Sequence, residues 1–174
     1  MTSRHRTLDG SRITGPSELL QAVPYLLGFH PIGSLVLIGL RDTRLVVTAR
    51  LDLDDACFDA VAHAVAAMAR GGSTSFVAVV YDDDALLPGT GELPWAELAG
   101  TVGDVVELVG AELRDVLLVS GQRWWSFECA NHECCPPGGR ELPDAPSAFT
   151  AAATVDGLVV LPDRAAVEAL LEPL

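Results

Sequence analysis

The chain has 174 residues, 49% of them hydrophobic, and 24 acidic against 11 basic side chains give a formal charge of −13. With a mean hydropathy of +0.33, it is too apolar for a disordered polyelectrolyte, and its length suits one domain burying roughly 70% of its unfolded surface. Every basic residue is an arginine, and only Arg4 and Arg6 lie close together. That argues against a nucleic-acid partner, whose affinity rests on clustered cations.

Residues 1–14 read as a polar, flexible tail, and 15–174 as a single domain. Gly15-Pro16-Ser17-Glu18 opens a helix that Leu19, Leu20, Val23, Leu26 and Leu27 continue and Gly28 stops. Leu19 to Leu40 holds no Asp, Glu, Lys or Arg, but Pro24, Gly28, His30, Pro31 and Gly33 interrupt it. It therefore reads as a helix and then a strand, and a membrane span is not expected; the chain is expected to be cytoplasmic.

Ser34 to Leu40 and Leu45 to Leu53, joined across Arg41-Asp42-Thr43, form a hairpin signature. Alternation puts Leu45, Val47, Ala49, Leu51 and Leu53 on one face of the second strand. Asp54-Asp55 opens a helix with Phe58, Val61, Ala62, Val65 and Met68 as its apolar stripe, ended by Gly71-Gly72. Phe76 to Tyr81 is a buried strand, Asp82 to Pro94 a loop, and Trp95 to Leu113 a helix weakened by its glycines. Val116 to Ser120 and Arg123 to Phe127 form a second hairpin around Gly121-Gln122. A Cys-, Pro- and Gly-rich irregular loop spans 128–146. A short element over Phe149 to Val155, a last strand at Leu158 to Leu161 and a helix capped by Asp163 close the chain. This order gives an α/β fold, a mixed central sheet of about six strands with helices on both faces.

Three stretches carry a family resemblance: Pro24-Tyr25-Leu26-Leu27-Gly28-Phe29-His30-Pro31 with Ser34-Leu35-Val36; Ala49-Arg50-Leu51-Asp52; and Arg123-Trp124-Trp125-Ser126 with Cys129 and Cys134-Cys135-Pro136-Pro137-Gly138. With these the chain resembles the bacterial family called domain of unknown function 4192 over most of residues 17–172. The resemblance implies no activity. It also implies that His132 stands where the family more usually has proline, so chemistry built on His132 would be private to this chain. Longer members continue with a mostly helical region, so the chain reads as a fragment or a short member.

Two constellations could carry chemistry. Cys129, His132, Cys134 and Cys135 offer four zinc-type ligands within seven residues, although adjacent cysteines rarely share an ion. The same segment also reads as inert loop thiols, or as a redox disulfide from Cys129 to Cys134 or Cys135. The second constellation rests on topology. If the strand ending at Asp52 runs parallel to the strand ending at Tyr81, then Arg50, Asp52, Asp82, Asp83, Asp84 and Ser120 share the carboxyl edge of the sheet, where α/β folds bind ligands. Those acids could hold Mg²⁺, or could simply serve the helix dipole and turns. Trp124 and Trp125 point to opposite faces of one strand, as core residues or with one lining a pocket or interface.

Phosphate loops and nucleophile elbows are absent from the sequence. The functional expectation is a non-catalytic module that binds a protein partner, a second copy or a small ligand. The alternatives are a metal-dependent enzyme acting on a phosphorylated small molecule at the acidic edge, and a zinc or redox device in the Cys loop.

Overall fold

A computed structural model describes residues 14–85 and 92–170. Its elements are α1 (Pro16–Leu27), β1 (Ser34–Arg41), β2 (Arg44–Asp52), α2 (Phe58–Arg70), β3 (Ser75–Tyr81), α3 (Ala96–Leu108), β4 (Glu112–Ser120), β5 (Arg123–Ser126), β6 (Arg140–Glu141), α4 (Ala148–Val155) and α5 (Arg164–Ala169). The expected tail and part of the loop after Tyr81 lie outside the described residues. No helix among those described is long and apolar enough to cross a membrane.

The described residues gather into two compact units, one within Pro31–Leu142 and one within Met1–His30 and Pro143–Leu174. The first holds a mixed six-stranded sheet in the order β2-β1-β3-β4-β5-β6. Only β3 and β4 pair parallel, through the α3 crossover; every other pair is antiparallel. Because β1 runs against both β2 and β3, those two strands point the same way, and Asp52 and Tyr81 each lie opposite Ser34. The shared carboxyl edge therefore exists, with β1 inserted between the strands.

One face of this sheet presents Leu35, Leu37, Phe76, Ala78, Val80, Val116, Leu118 and Trp125 to Val61, Val65 and Met68 of α2 and Leu98, Val102, Val105 and Val106 of α3. On the other face Val36, Ile38, Val79, Leu117 and Trp124 are buried too. Burial on both faces explains why the central strands read as continuous apolar runs.

In the other unit, α1 packs on α4 through Ala22, Phe149 and Ala153. The Gln21 amide uses both ends, donating to the Pro143 (2.9 Å) and Ala145 (2.8 Å) carbonyls and accepting from the Ser147 N–H (3.0 Å). Gly28 takes the left-handed conformation (φ +83°) that ends α1. The chain beyond it bridges residue 161, through His30 N–H to Leu161 O and Leu161 N–H to Gly28 O.

Five sequence expectations change. Asp54 and Asp55 do not open α2 but lie in a separate 3₁₀ turn, Leu53–Asp55, and the helix starts at Phe58 after Cys57. Helix α3 stops at Leu108, and the strand begins at Glu112 rather than Val116; Gly110 is the true stop, and 112–115 alternate exposed and half-buried as an edge-to-core strand does. Residues 158–161 form no strand, only an isolated bridge from Leu161 to Phe29; Leu158 and Val159 are exposed. The sixth strand is instead Arg140–Glu141, inside the Cys-rich loop. A register shift in the β1–β2 ladder puts Leu40 opposite Leu45 and Gly39 opposite Val47. The extra residue, Val46, moves Leu45 off the face that Val47, Ala49 and Leu51 share.

Leu118 is fully buried at the centre of the α2/α3 face. Leu118→Ala is expected to cost about 2–5 kcal/mol in urea unfolding; a loss under about 1 kcal/mol would contradict this core.

Candidate functional site

The Cys-rich loop is fastened to the sheet by the strand that precedes it. Strand alternation sends Trp125 into the α2/α3 core and Trp124 to the opposite face, and both indoles are buried. Trp125 Nε1 donates to Pro137 O at 3.0 Å. Gly139, at φ +72°, passes so close to the Trp125 ring that a Cβ there would collide with it. Arg123 Nη1 donates to the carbonyls of Gly138 (3.0 Å) and Gly139 (3.2 Å). Arg140 lies over the Trp124 ring, 5.8 Å from its centre, and donates to Cys134 O at 3.0 Å.

Within this frame the backbone folds around Asn131. Its carbonyl accepts both Cys134 N–H (3.1 Å) and Cys135 N–H (2.6 Å), while its side-chain oxygen accepts Glu133 N–H (2.9 Å). At the other end, Ser126 Oγ accepts the N–H groups of Glu128 (3.2 Å) and Cys129 (3.0 Å) and donates to Asp115 Oδ1 (2.7 Å). The Sγ atoms of Cys129, Cys134 and Cys135 thereby come within 4.8 Å of one another. All four cysteines are free thiols.

The three thiols are not equivalent. The Cys129 thiol is held below its ordinary value, chiefly by the hydrogen bond from the Cys135 side chain and next by the backbone of Asn131. Burial, then its hydrogen bonds to Cys129 and Cys134, push Cys135 up to about 12. Burial also raises Asp115, against the lowering effect of the Ser126 hydroxyl.

The sheet itself carries a second arrangement. Reading the register across all six strands gives the row Asp52, Ser34, Tyr81, Val119, Trp124, Arg140. These residues share one face, at the carboxyl ends of β2, β3 and β4. Arg50 joins the row from the same strand as Asp52, donating from Nε to Ser34 Oγ (2.8 Å) and pairing through Nη2 with Asp52 Oδ1 (2.6 Å). Tyr81 OH and Trp124 Nε1 are buried and have no hydrogen-bond partner, and burial pushes the Tyr81 phenol above its ordinary range. Thr48, Ser73 and Ser75 also hold unpartnered buried hydroxyls, but only Tyr81 and Trp124 stand in this row. Their backbones are two strand spacings apart, about 10 Å.

At the same edge Asp52 and Asp82 line one cleft of about 430 Å³ with Gly33, Leu53, Asp54, Asp55 and Trp95. Two of its carboxylates, Asp52 and Asp82, are engaged. Asp82 accepts Trp95 Nε1 (2.8 Å) and Asp84 N–H (3.1 Å), and Asp83 accepts Gly121 N–H (3.0 Å). Trp95 holds the left-handed conformation (φ +69°) at the start of α3, uncommon for a bulky residue.

The sequence-derived residues thus separate. Cys129, Cys134 and Cys135 converge, whereas His132 is exposed and stands outside the cluster. Arg50 and Asp52 pair, and Asp82, bound to Trp95, shares a cleft with Asp52. Trp124 and Trp125 are both core residues. Tyr81 and Ser34 drew no notice in the sequence because a row across a sheet exists only once the register is known. Among the described residues, the thiol trio is the group of three or more ligating side chains gathered around one point.

The architecture is that of an α/β domain with a mixed sheet, whose second hairpin carries a buried Trp pair and a cysteine knuckle. The chain belongs to the family described as domain of unknown function (DUF4192), whose model matches residues 16–174. No curated protein and no solved structure matches it.

Two outcomes test the site's geometry. Gly139→Ala must displace Trp125 and strain a positive φ, so it is expected to destabilise by about 2 kcal/mol or more; unchanged urea unfolding and tryptophan emission would contradict that contact. In reduced, metal-free protein near pH 7.5, iodoacetamide is expected to modify Cys129 several-fold faster than Cys135, read by peptide mass mapping. The reverse order would contradict the thiol hydrogen bonding.

Proposed function

We propose that the chain is a non-catalytic binding module that takes a small, acceptor-bearing molecule along the polar row at the carboxyl edge of its sheet. The observation that carries this reading is the pair of buried donors without acceptors, Tyr81 OH and Trp124 Nε1. Leaving a buried polar group unsatisfied costs about 1–3 kcal/mol, and such groups call for an explanation. A ligand with two acceptors, one for each donor, would satisfy both. Arg50 and Asp52, paired directly at the β2 end with Ser34 bonded to Arg50, would contribute polar character to that side of the ligand.

The position supports the same reading, because open α/β sheets bind ligands beyond the carboxyl ends of their strands. Burial of both indoles favours an enclosed ligand over a flat protein interface centred on Trp125. Engagement of Asp52, Asp82 and Asp83 with Arg50, Trp95 and backbone N–H groups makes them shapers of the edge, which weighs against phosphoryl chemistry there. Four free thiols suit a reducing compartment such as the cytoplasm.

The test uses a hydroxyl that does nothing for the ligand-free protein. Tyr81→Phe is expected to raise the melting temperature, about 2–4 °C for each kcal/mol relieved in a chain of this size. It should also lose the thermal shift that the unaltered chain shows with one class of a small-molecule panel of nucleosides, carboxylic acids and sugar phosphates. A drop in melting temperature would mean that the hydroxyl already has its partner, and the reading would fall.

A further inference from the structure

We infer that Cys129, Cys134 and Cys135 form a site for one thiophilic divalent cation, zinc first, with three protein thiolates and a fourth position open to an outside ligand. This inference is independent of the polar row.

The distances are nearly those of a bound ion. Zinc holds thiolate sulfur at about 2.3 Å, so tetrahedral geometry sets the sulfurs about 3.8 Å apart. The three Sγ atoms already lie within 4.8 Å of one another. Closing on the ion therefore asks for about an ångström at most, which side-chain torsions can supply.

The backbone that positions these thiols is fixed by bonds that an ion would not disturb. The Asn131 carbonyl gathers the N–H groups of Cys134 and Cys135, and this single turn brings two adjacent cysteines to the same side. Ser126 anchors the N–H of Cys129, and Arg140 holds the Cys134 carbonyl. Such outer contacts orient ligands in metal sites generally. The metal-free trio carries thiol protons, and the Cys135 side chain hydrogen-bonds to Cys129. Binding replaces those protons: M²⁺ and three thiols give a tris-thiolate complex of charge −1 and release three H⁺, fewer where a thiolate already exists.

Chemistry selects the ion. An all-sulfur donor set favours zinc and other soft cations over Mg²⁺ or Ca²⁺, which require oxygen. With His132 outside the trio, the fourth position falls to water or an exogenous ligand, as in zinc sites that keep an open position.

The experiment is a Zn²⁺ and Co²⁺ titration of the full chain, reduced and stripped with chelator, followed by native mass, competition with a chromophoric chelator and absorption. Expected are one ion per chain, a thiolate-to-Co²⁺ charge-transfer band, proton release and no competition from Mg²⁺. Cys134→Ser and Cys135→Ser should each weaken Zn²⁺ by 100-fold or more, while His132→Ala and Cys57→Ser stay within about twofold. Absence of binding, or a Co²⁺ complex without a thiolate band, would overturn the site. Loss on His132→Ala would overturn its open position. Should the cysteine variants fail to fold, the Co²⁺ spectrum of the unaltered chain still decides, because the band requires thiolate ligands.

Discussion

The Trp125 side chain ties the ordered sheet to the irregular loop. Its ring fills the core against α2 and α3, while its one polar atom leaves that core to hold the Pro137 carbonyl. Few side chains can do both, since the task needs a large apolar body with a donor at its rim. Gly139 can lie flat on the same ring only because it has no Cβ. From that contact Arg140 reaches both Cys134 O and the face of Trp124, so the loop and the two sides of β5 are held by one short stretch of chain.

Much of the fold could be read from periodicity. The two hairpins, the helix from Phe58 to Arg70 and the buried β3 strand follow from apolar spacing and glycine stops. The misreadings share a cause, which is that local pattern does not contain partners. Leu113 continues a helical apolar spacing, but Glu112 and Leu113 pair with β3 once the chain turns at Gly110. Leu158-Val159-Val160-Leu161 has the composition of a strand but no neighbour to pair with beyond one bridge. Arg140-Glu141 has no such composition, yet β5 recruits it because the loop returns alongside. The bulge at Val46 is invisible in sequence because the two-residue alternation continues through it.

The site was legible in its atoms and less so in its geometry. Four cysteines or histidines in seven residues announce ligand chemistry; the objection that neighbouring cysteines diverge assumes an extended backbone. Asn131 removes that assumption by wrapping the chain into a single turn. His132, attractive by spacing, is carried out of the cluster by the same turn. The polar row depends on the registers of five strand pairs, so Tyr81 looks like an ordinary strand terminus until the sheet is assembled.

The pairing of α1 with α4 bears on how the chain comes to be folded at all. Gln21 bonds to carbonyls 122 and 124 residues further along. At typical synthesis rates of about 5–20 residues per second, the first helix waits roughly 6–24 s for its partner to be made. A twelve-residue helix is marginal alone in water, and until then Ala22 lacks Phe149 and Ala153, the residues it is buried against. Meanwhile the segment from Pro31 to Leu142 emerges as one contiguous stretch and can complete its own sheet. The contact of α1 with α4 is therefore among the last to form. For those seconds the side of α1 that faces α4 is available to chaperones, or to another copy of the same helix, in a way the finished protein never repeats.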